Sequence, residues 1–181
     1  MARTFARMKY ILALTAISFL TACGDGKKEA AEQLAETTPA TTEAWIVDLS
    51  SEDLPLNVDL GDRGTLGADS AEVAFNEEFG HVRVKAGDRF SITVTEAPGD
   101  FDRLKADLER DMLQKHTVIE ETPEMIIYRS QFPDDELVFI HFRKVITAGG
   151  RTFIVEDAAE GRFNEADIKR MSNAVVAKEG V

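Results

Sequence analysis

The chain reads as an α+β protein, an antiparallel sheet of about six to eight strands covered by two amphipathic helices. Three observations carry that expectation. Short stretches alternate apolar and polar residues with the period of a strand. Two other stretches space their apolar residues by three and four, the period of a helix face. Turn signals separate the strands of the second half so closely that neighbours must run antiparallel.

The strands come in two groups. WIVDL (45–49) and PLNVDL (55–60) are short, and Leu56, Val58 and Leu60 alternate in the second. A glycine-rich loop spans 61–70, and strands are expected at 72–77 and 79–84. The clearest of the first group is 89–96, with Phe90, Ile92 and Val94 on one face. In the second group, 117–122, 125–132, 137–146 and 152–155 form a meander closed by turns at 133–136 and 148–151. The strand 137–146 is apolar on one face at Val138, Ile140, Phe142 and Ile146, and mixes Phe139 and Val145 with His141 and Arg143 on the other.

A helix separates the two groups. Phe101, Leu104, Leu108 and Met112 line one face, Asp100 is placed to cap its start, and Lys115 and His116 sit where the helix dipole favours positive charge. The second helix follows Asn164 as its cap, and its stripe is Ile168, Met171 and Val175, widened by Val176. Gly180 marks its stop.

The segments AGDRFSITVTEAPGDFDRLKADLERDM, VIEETPEMIIYRSQF and GGRTFIVEDAAEGRFNEADIKRM follow one another as helix, meander and closing strand–helix. In order and texture, 86–178 resembles the Mog1/PsbP-like fold. The resemblance implies an α+β domain and no particular activity, because that fold hosts unrelated functions.

The first 44 residues have another character. Arg3, Arg7 and Lys9 precede an apolar run from Tyr10 to Ala22, a basic start followed by the short core of a secretory signal. The run is too short for an ordinary spanning helix, which needs roughly 20 residues. It ends in Leu20-Thr21-Ala22-Cys23, which resembles the lipobox of bacterial lipoproteins. That resemblance implies removal of 1–22 as a lipoprotein signal peptide. It also implies a diacylglyceryl group on Cys23 and further acylation, such as palmitate, of the new amino terminus. The single cysteine of the chain then has a use: it anchors to a membrane and cannot form an internal disulfide. Gly24 follows it, and by resemblance to the sorting rule of many Gram-negative bacteria, a residue other than aspartate there directs the protein to the outer membrane. Localisation is thus expected in the cell envelope. Residues 24–44 carry one leucine, no aromatic residue and no β-branched aliphatic residue. With Cys23 they form the segment 23–44, a lipidated cysteine and disordered tether spanning on the order of 25 Å. The remainder, 45–181, suffices for one globular domain.

Loss of 1–22 removes three of the 21 basic residues and none of the 33 acidic ones, taking the formal charge from −12 to −15. Such a surface excludes nucleic acid as a partner and disfavours adhesion to anionic headgroups. It suits a soluble domain held off a membrane.

No motif for chemistry stands out. His81, His116 and His141 share no ligand-like spacing, no zinc pattern, P-loop, dinucleotide fingerprint or G-x-S-x-G is present, and the serines, Ser130 among them, have no local base. His141 reads as a sheet-face histidine, with a base or ligand as the alternative. NVDLGDRG (57–64) fails the calcium-loop spacing, and Glu156, Asp157 and Glu160 after a strand offer a cation alternative. The phenylalanines fall mostly on expected core faces. The expectation is therefore no catalytic residue, no metal and no cofactor. The chain reads as a non-enzymatic adaptor or accessory module, bound to the membrane by its N-terminal lipid and to an envelope protein. The alternative is a small-ligand or cation-binding lipoprotein using a cleft between the sheet and loop 61–70. An enzyme of unfamiliar type ranks third.

Overall fold

A computed structural model describes residues 44–178. The signal peptide, the lipobox, nearly all of the tether and Gly180 lie outside the described residues. The elements are β1 (Ile46–Asp48), a 3-10 turn (Ser50–Glu52), β2 (Leu56–Asp59), α1 (Arg63–Leu66), β3 (Glu72–Asn76), β4 (His81–Lys85) and β5 (Ser91–Glu96). Then follow α2 (Phe101–Arg110), β6 (Lys115–Glu121), β7 (Met125–Gln131), β8 (Val138–Ala148), β9 (Arg151–Asp157), α3 (Glu165–Ala174) and β10 (Val175–Ala177).

Seven strands form one antiparallel sheet in the order β3-β4-β5-β9-β8-β7-β6, and β1-β2-β10 form a second, three-stranded sheet. The protein is thus α+β with a large antiparallel sheet, as the alternation predicts. The small sheet was not foreseen as separate. Its third strand begins at Val175, where the apolar stripe of the last helix runs on: the helix stops at Ala174, and Val175, Val176 and Ala177 pair with Val58, Asn57 and Leu56. Without β10, the edge of β2 away from β1 would leave a row of backbone groups unsatisfied, and β-branched valines suit a strand better than a helix end.

The main core lies on one face of the large sheet. Val82, Val84, Ile92, Val94, Ile127, Phe142, Phe153 and Val155 contribute from that sheet, Leu56 and Val58 from the small one, and Ile168 and Met171 from α3. Each such side chain, removed from water, contributes about 1.5–3 kcal/mol. One polar anchor fixes α3. The buried Asp167 carboxylate accepts from Arg89 Nε at 3.1 Å and from Arg170 at 3.0 Å, and the Asn164 side chain caps the helix by accepting from the Asp167 N–H. The lone Trp45 is buried at the rim under the Arg63 guanidinium, 4.1 Å from the ring centre.

The helix α2 departs from expectation. Asp100 caps it, accepting from the Arg103 N–H at 2.9 Å, but it ends at Arg110 and buries only Leu104. Met112 lies beyond it, fully in solvent, and Lys115 and His116 open β6 rather than closing a helix. Asp111 ends the helix because its side chain turns back onto the N–H groups of Leu113 and Gln114. One turn of helix, α1, occupies the expected loop 61–70, capped by Asp62.

Candidate functional site

The second face of the large sheet is only partly covered. Toward β6, α2 lies over it, tied by Lys105 to Glu121 at 2.7 Å. Farther along, the row Arg83–Thr93–Glu156–Arg143 crosses β4, β5, β9 and β8 in register. Beyond it Tyr128 on β7 stands opposite His141 on β8. This polar strip floors a cavity of about 610 Å³, within the range of small-molecule sites. Its walls come from two turns. In the β3–β4 turn Asn76 Oδ1 accepts from the N–H groups of Glu78 and Phe79, and Gly80 adopts a positive φ of 64°. That turn projects Phe79 into solvent, where it stacks on His81 at 5.9 Å. The opposite wall follows β9, where Ala158 N–H donates to Ser91 O and Glu160 is carried to Arg83.

His141 is the centre of the site. Its Nδ1 lies 2.8 Å from Asp157 Oδ2, and the other Asp157 oxygen accepts from the Phe142 N–H at 2.9 Å. The Asp157 side chain is 3% exposed, so both oxygens are committed inside the protein. A carboxylate only accepts, so Nδ1 carries the proton and Nε2 is the acceptor of the neutral ring. That nitrogen has no partner among the described residues and its ring lines the cavity. Tyr128 packs beside it, with ring centres 5.4 Å apart. Burial, reinforced by the charges of Asp157 and Glu156, pushes the Tyr128 hydroxyl up to about 12, so at neutral pH it is a firm donor. Sequence reasoning placed His141 on a sheet face and left it without a neighbour. The missing signal was the hairpin: a two-residue Gly149-Gly150 turn, both glycines at positive φ, fixes Ala148 opposite Arg151 and Arg143 opposite Glu156, which brings Asp157 next to His141 and Phe142.

The other singled-out residues are accounted for. His116 does have a local partner, correcting the reading that Ser130 has no base nearby. Nδ1 of His116 lies 2.8 Å from Ser130 Oγ, and Nε2 lies 2.9 Å from Asp111 Oδ2. Ser130 is 1% exposed, so no substrate reaches it, and the chain of hydrogen bonds ties the start of β6 to β7. The hydrogen bond from His116 holds the Asp111 carboxyl below the usual carboxylate range. Glu156, Asp157 and Glu160, the cation alternative, point to separate partners: Arg143 at 2.6 Å, His141 with the Phe142 N–H, and Arg83. The cavity is not lined by loop 61–70, where a cleft was expected. The phenylalanines divide: Phe90, Phe142, Phe153 and Phe163 are buried, but Phe75, Phe79 and Phe132 are exposed.

No known protein family matches the chain, and neither a curated protein nor a solved structure is significantly similar to it.

Proposed function

We propose that this chain is an envelope lipoprotein, anchored through Cys23 after loss of 1–22, whose domain binds a small ligand in the cavity around His141. The order helix, four-stranded meander and closing helix supports a Mog1/PsbP-like domain carrying that site. One observation bears the ligand reading. A buried carboxylate spends both oxygens orienting His141 and the backbone beneath it, while the histidine's remaining nitrogen is left toward a cavity of about 610 Å³. Burying a carboxylate is costly, and a purely structural position could hold an apolar residue instead. Among the described residues the wall carries no serine, cysteine or lysine for His141 to activate, so the geometry supports binding ahead of turnover.

The test has two arms. Cys23→Ser should abolish incorporation of labelled palmitate and release the protein from the membrane fraction; unchanged labelling would overturn the anchor. Thermal melts of the full chain against envelope metabolites should find stabilising compounds whose effect disappears in His141→Ala. A screen in which no compound shifts the melt would overturn the ligand reading.

The adaptor reading keeps one specific support. The edge strand β6 exposes Val118 and Ile119, with Met112 and Leu113 in solvent just before it. An uncovered apolar edge accepts an added strand. Crosslinked affinity capture of the membrane-bound protein, beside Cys23→Ser, should enrich one envelope protein whose recovery falls in Val118→Lys. Recovery unaffected by that substitution would remove this support.

A further inference from the structure

The chemistry of the cavity wall narrows the kind of ligand, an inference that rests on the ligand reading just given. Each acidic group of the wall is already engaged: Glu160 with Arg83, Glu156 with Arg143 at 2.6 Å, and both Asp157 oxygens with His141 and the Phe142 N–H. Arg83, the one arginine of the wall among the described residues, is paired with Glu160. Neither an anion nor a cation therefore finds an uncompensated charge in the wall to pair with. The polar groups with no partner among the described residues are of another kind. They are His141 Nε2, an acceptor, the hydroxyls of Tyr128 and Thr93, which donate and accept, the His81 ring nitrogens and the side-chain NH₂ of Asn76, a donor. Next to them the Phe79 ring, two-thirds exposed and stacked on His81, offers an apolar face that none of the described residues covers.

Neutral acceptors and donors beside one bare aromatic face suit a particular partner. A ligand hydroxyl can donate to His141 Nε2 and accept from the Tyr128 hydroxyl, which a protonated amine, a donor only, cannot do, and it does so without bringing the charge that a phosphate brings. The C–H face of a saturated ring can lie on Phe79. We infer that the cavity takes an uncharged, polyhydroxylated ring, a neutral saccharide, with His141 and Tyr128 reading its hydroxyls and Phe79 as its platform.

The experiment uses the full chain in mild detergent and three probes: N,N′-diacetylchitobiose with maltose as neutral saccharides, inorganic phosphate, and spermidine. Binding is read by saturation-transfer NMR and by the shift of the thermal melt. At least one saccharide should bind. Tyr128→Phe and Phe79→Ala, which remove one hydroxyl and one exposed ring, should each weaken it about tenfold. Phosphate or spermidine binding that is lost in those variants, without saccharide binding, would overturn the saccharide and leave the ligand site standing. Saccharide binding unchanged in both variants would place the sugar elsewhere and overturn the inference. If none of the three probe classes binds, the inference and the ligand reading beneath it both fall.

Discussion

Replacing Asp157 by asparagine tests how the site is built. The amide oxygen can still accept from the Phe142 N–H, a contact of 2.9 Å in the native protein. The amide NH₂ must then face His141 Nδ1, where an acceptor stood at 2.8 Å. Two donors cannot share that gap, so the imidazole has to move its proton to Nε2. The cavity-facing nitrogen changes from acceptor to donor while the shape of the wall stays the same. Stability should fall by only about 1 kcal/mol, since a charge-assisted bond is exchanged for a neutral one. Asp157→Ala removes both bonds and strands a buried N–H, and should cost about 2–4 kcal/mol. Urea denaturation followed by the single tryptophan, Trp45, gives the stabilities. Long-range ¹H–¹⁵N correlations of the His141 ring give the tautomer directly. A native ring protonated on Nε2, or an Asn variant that keeps Nδ1–H, would refute the reasoning. So would an Ala variant no less stable than the Asn variant.

Three further outcomes are expected. Tyr128 should titrate at about 12 by absorbance at 295 nm, above the ordinary phenol value near 10, and Tyr128→Phe should remove that step. Because its folded pKa is raised, its contribution to stability is complete below about pH 10 and is lost as pH rises toward 12. On the acid side the signs reverse. A hydrogen bond from Lys178 holds Asp48 below its ordinary value, and one from Arg151 does the same for Glu96. Their stabilisation is complete above the unfolded carboxylate range near pH 4 and is lost as pH falls through the lower folded values, so the urea midpoint should drop on acidification. The double variant Lys178→Ala, Arg151→Ala should flatten that drop, and an unchanged slope would show that these pairs do not form in solution. Gly99→Ala would bring a Cβ to 2.5 Å from both methyl groups of Val145, so about 1–3 kcal/mol should be lost by thermal melting. Most of that loss should return in the double variant with Val145→Ala, and additive losses would argue against the contact.

The large sheet was legible in the sequence because its strands alternate cleanly. Phe90 and Val94 are buried in the core, as the pattern of 89–96 requires, and Ile92 lies between them. The caps Asp100 and Asn164 were legible too, since a side-chain oxygen ahead of an apolar stripe has one common use. Met112 continued the helical spacing of Phe101, Leu104 and Leu108, yet spacing carries no information about where a side chain such as Asp111 breaks the ladder. Val175 continued the stripe of α3 as well, and its strand fate depends on β2, more than a hundred residues earlier.

The local elements, the acidity of the chain and the expectation of a lipid anchor at Cys23 are all written in neighbouring residues. The tertiary structure alone decided the site. His141 and Asp157 are 16 residues apart and meet through a hairpin, whereas Arg83 and Glu160 are 77 apart and meet only when β5 and β9 pair. Asp157 shows no special spacing in the chain; its importance comes from burial and from the two hydrogen bonds that burial demands. Strand pairing brings such groups together by register, and register is a property of the assembled sheet.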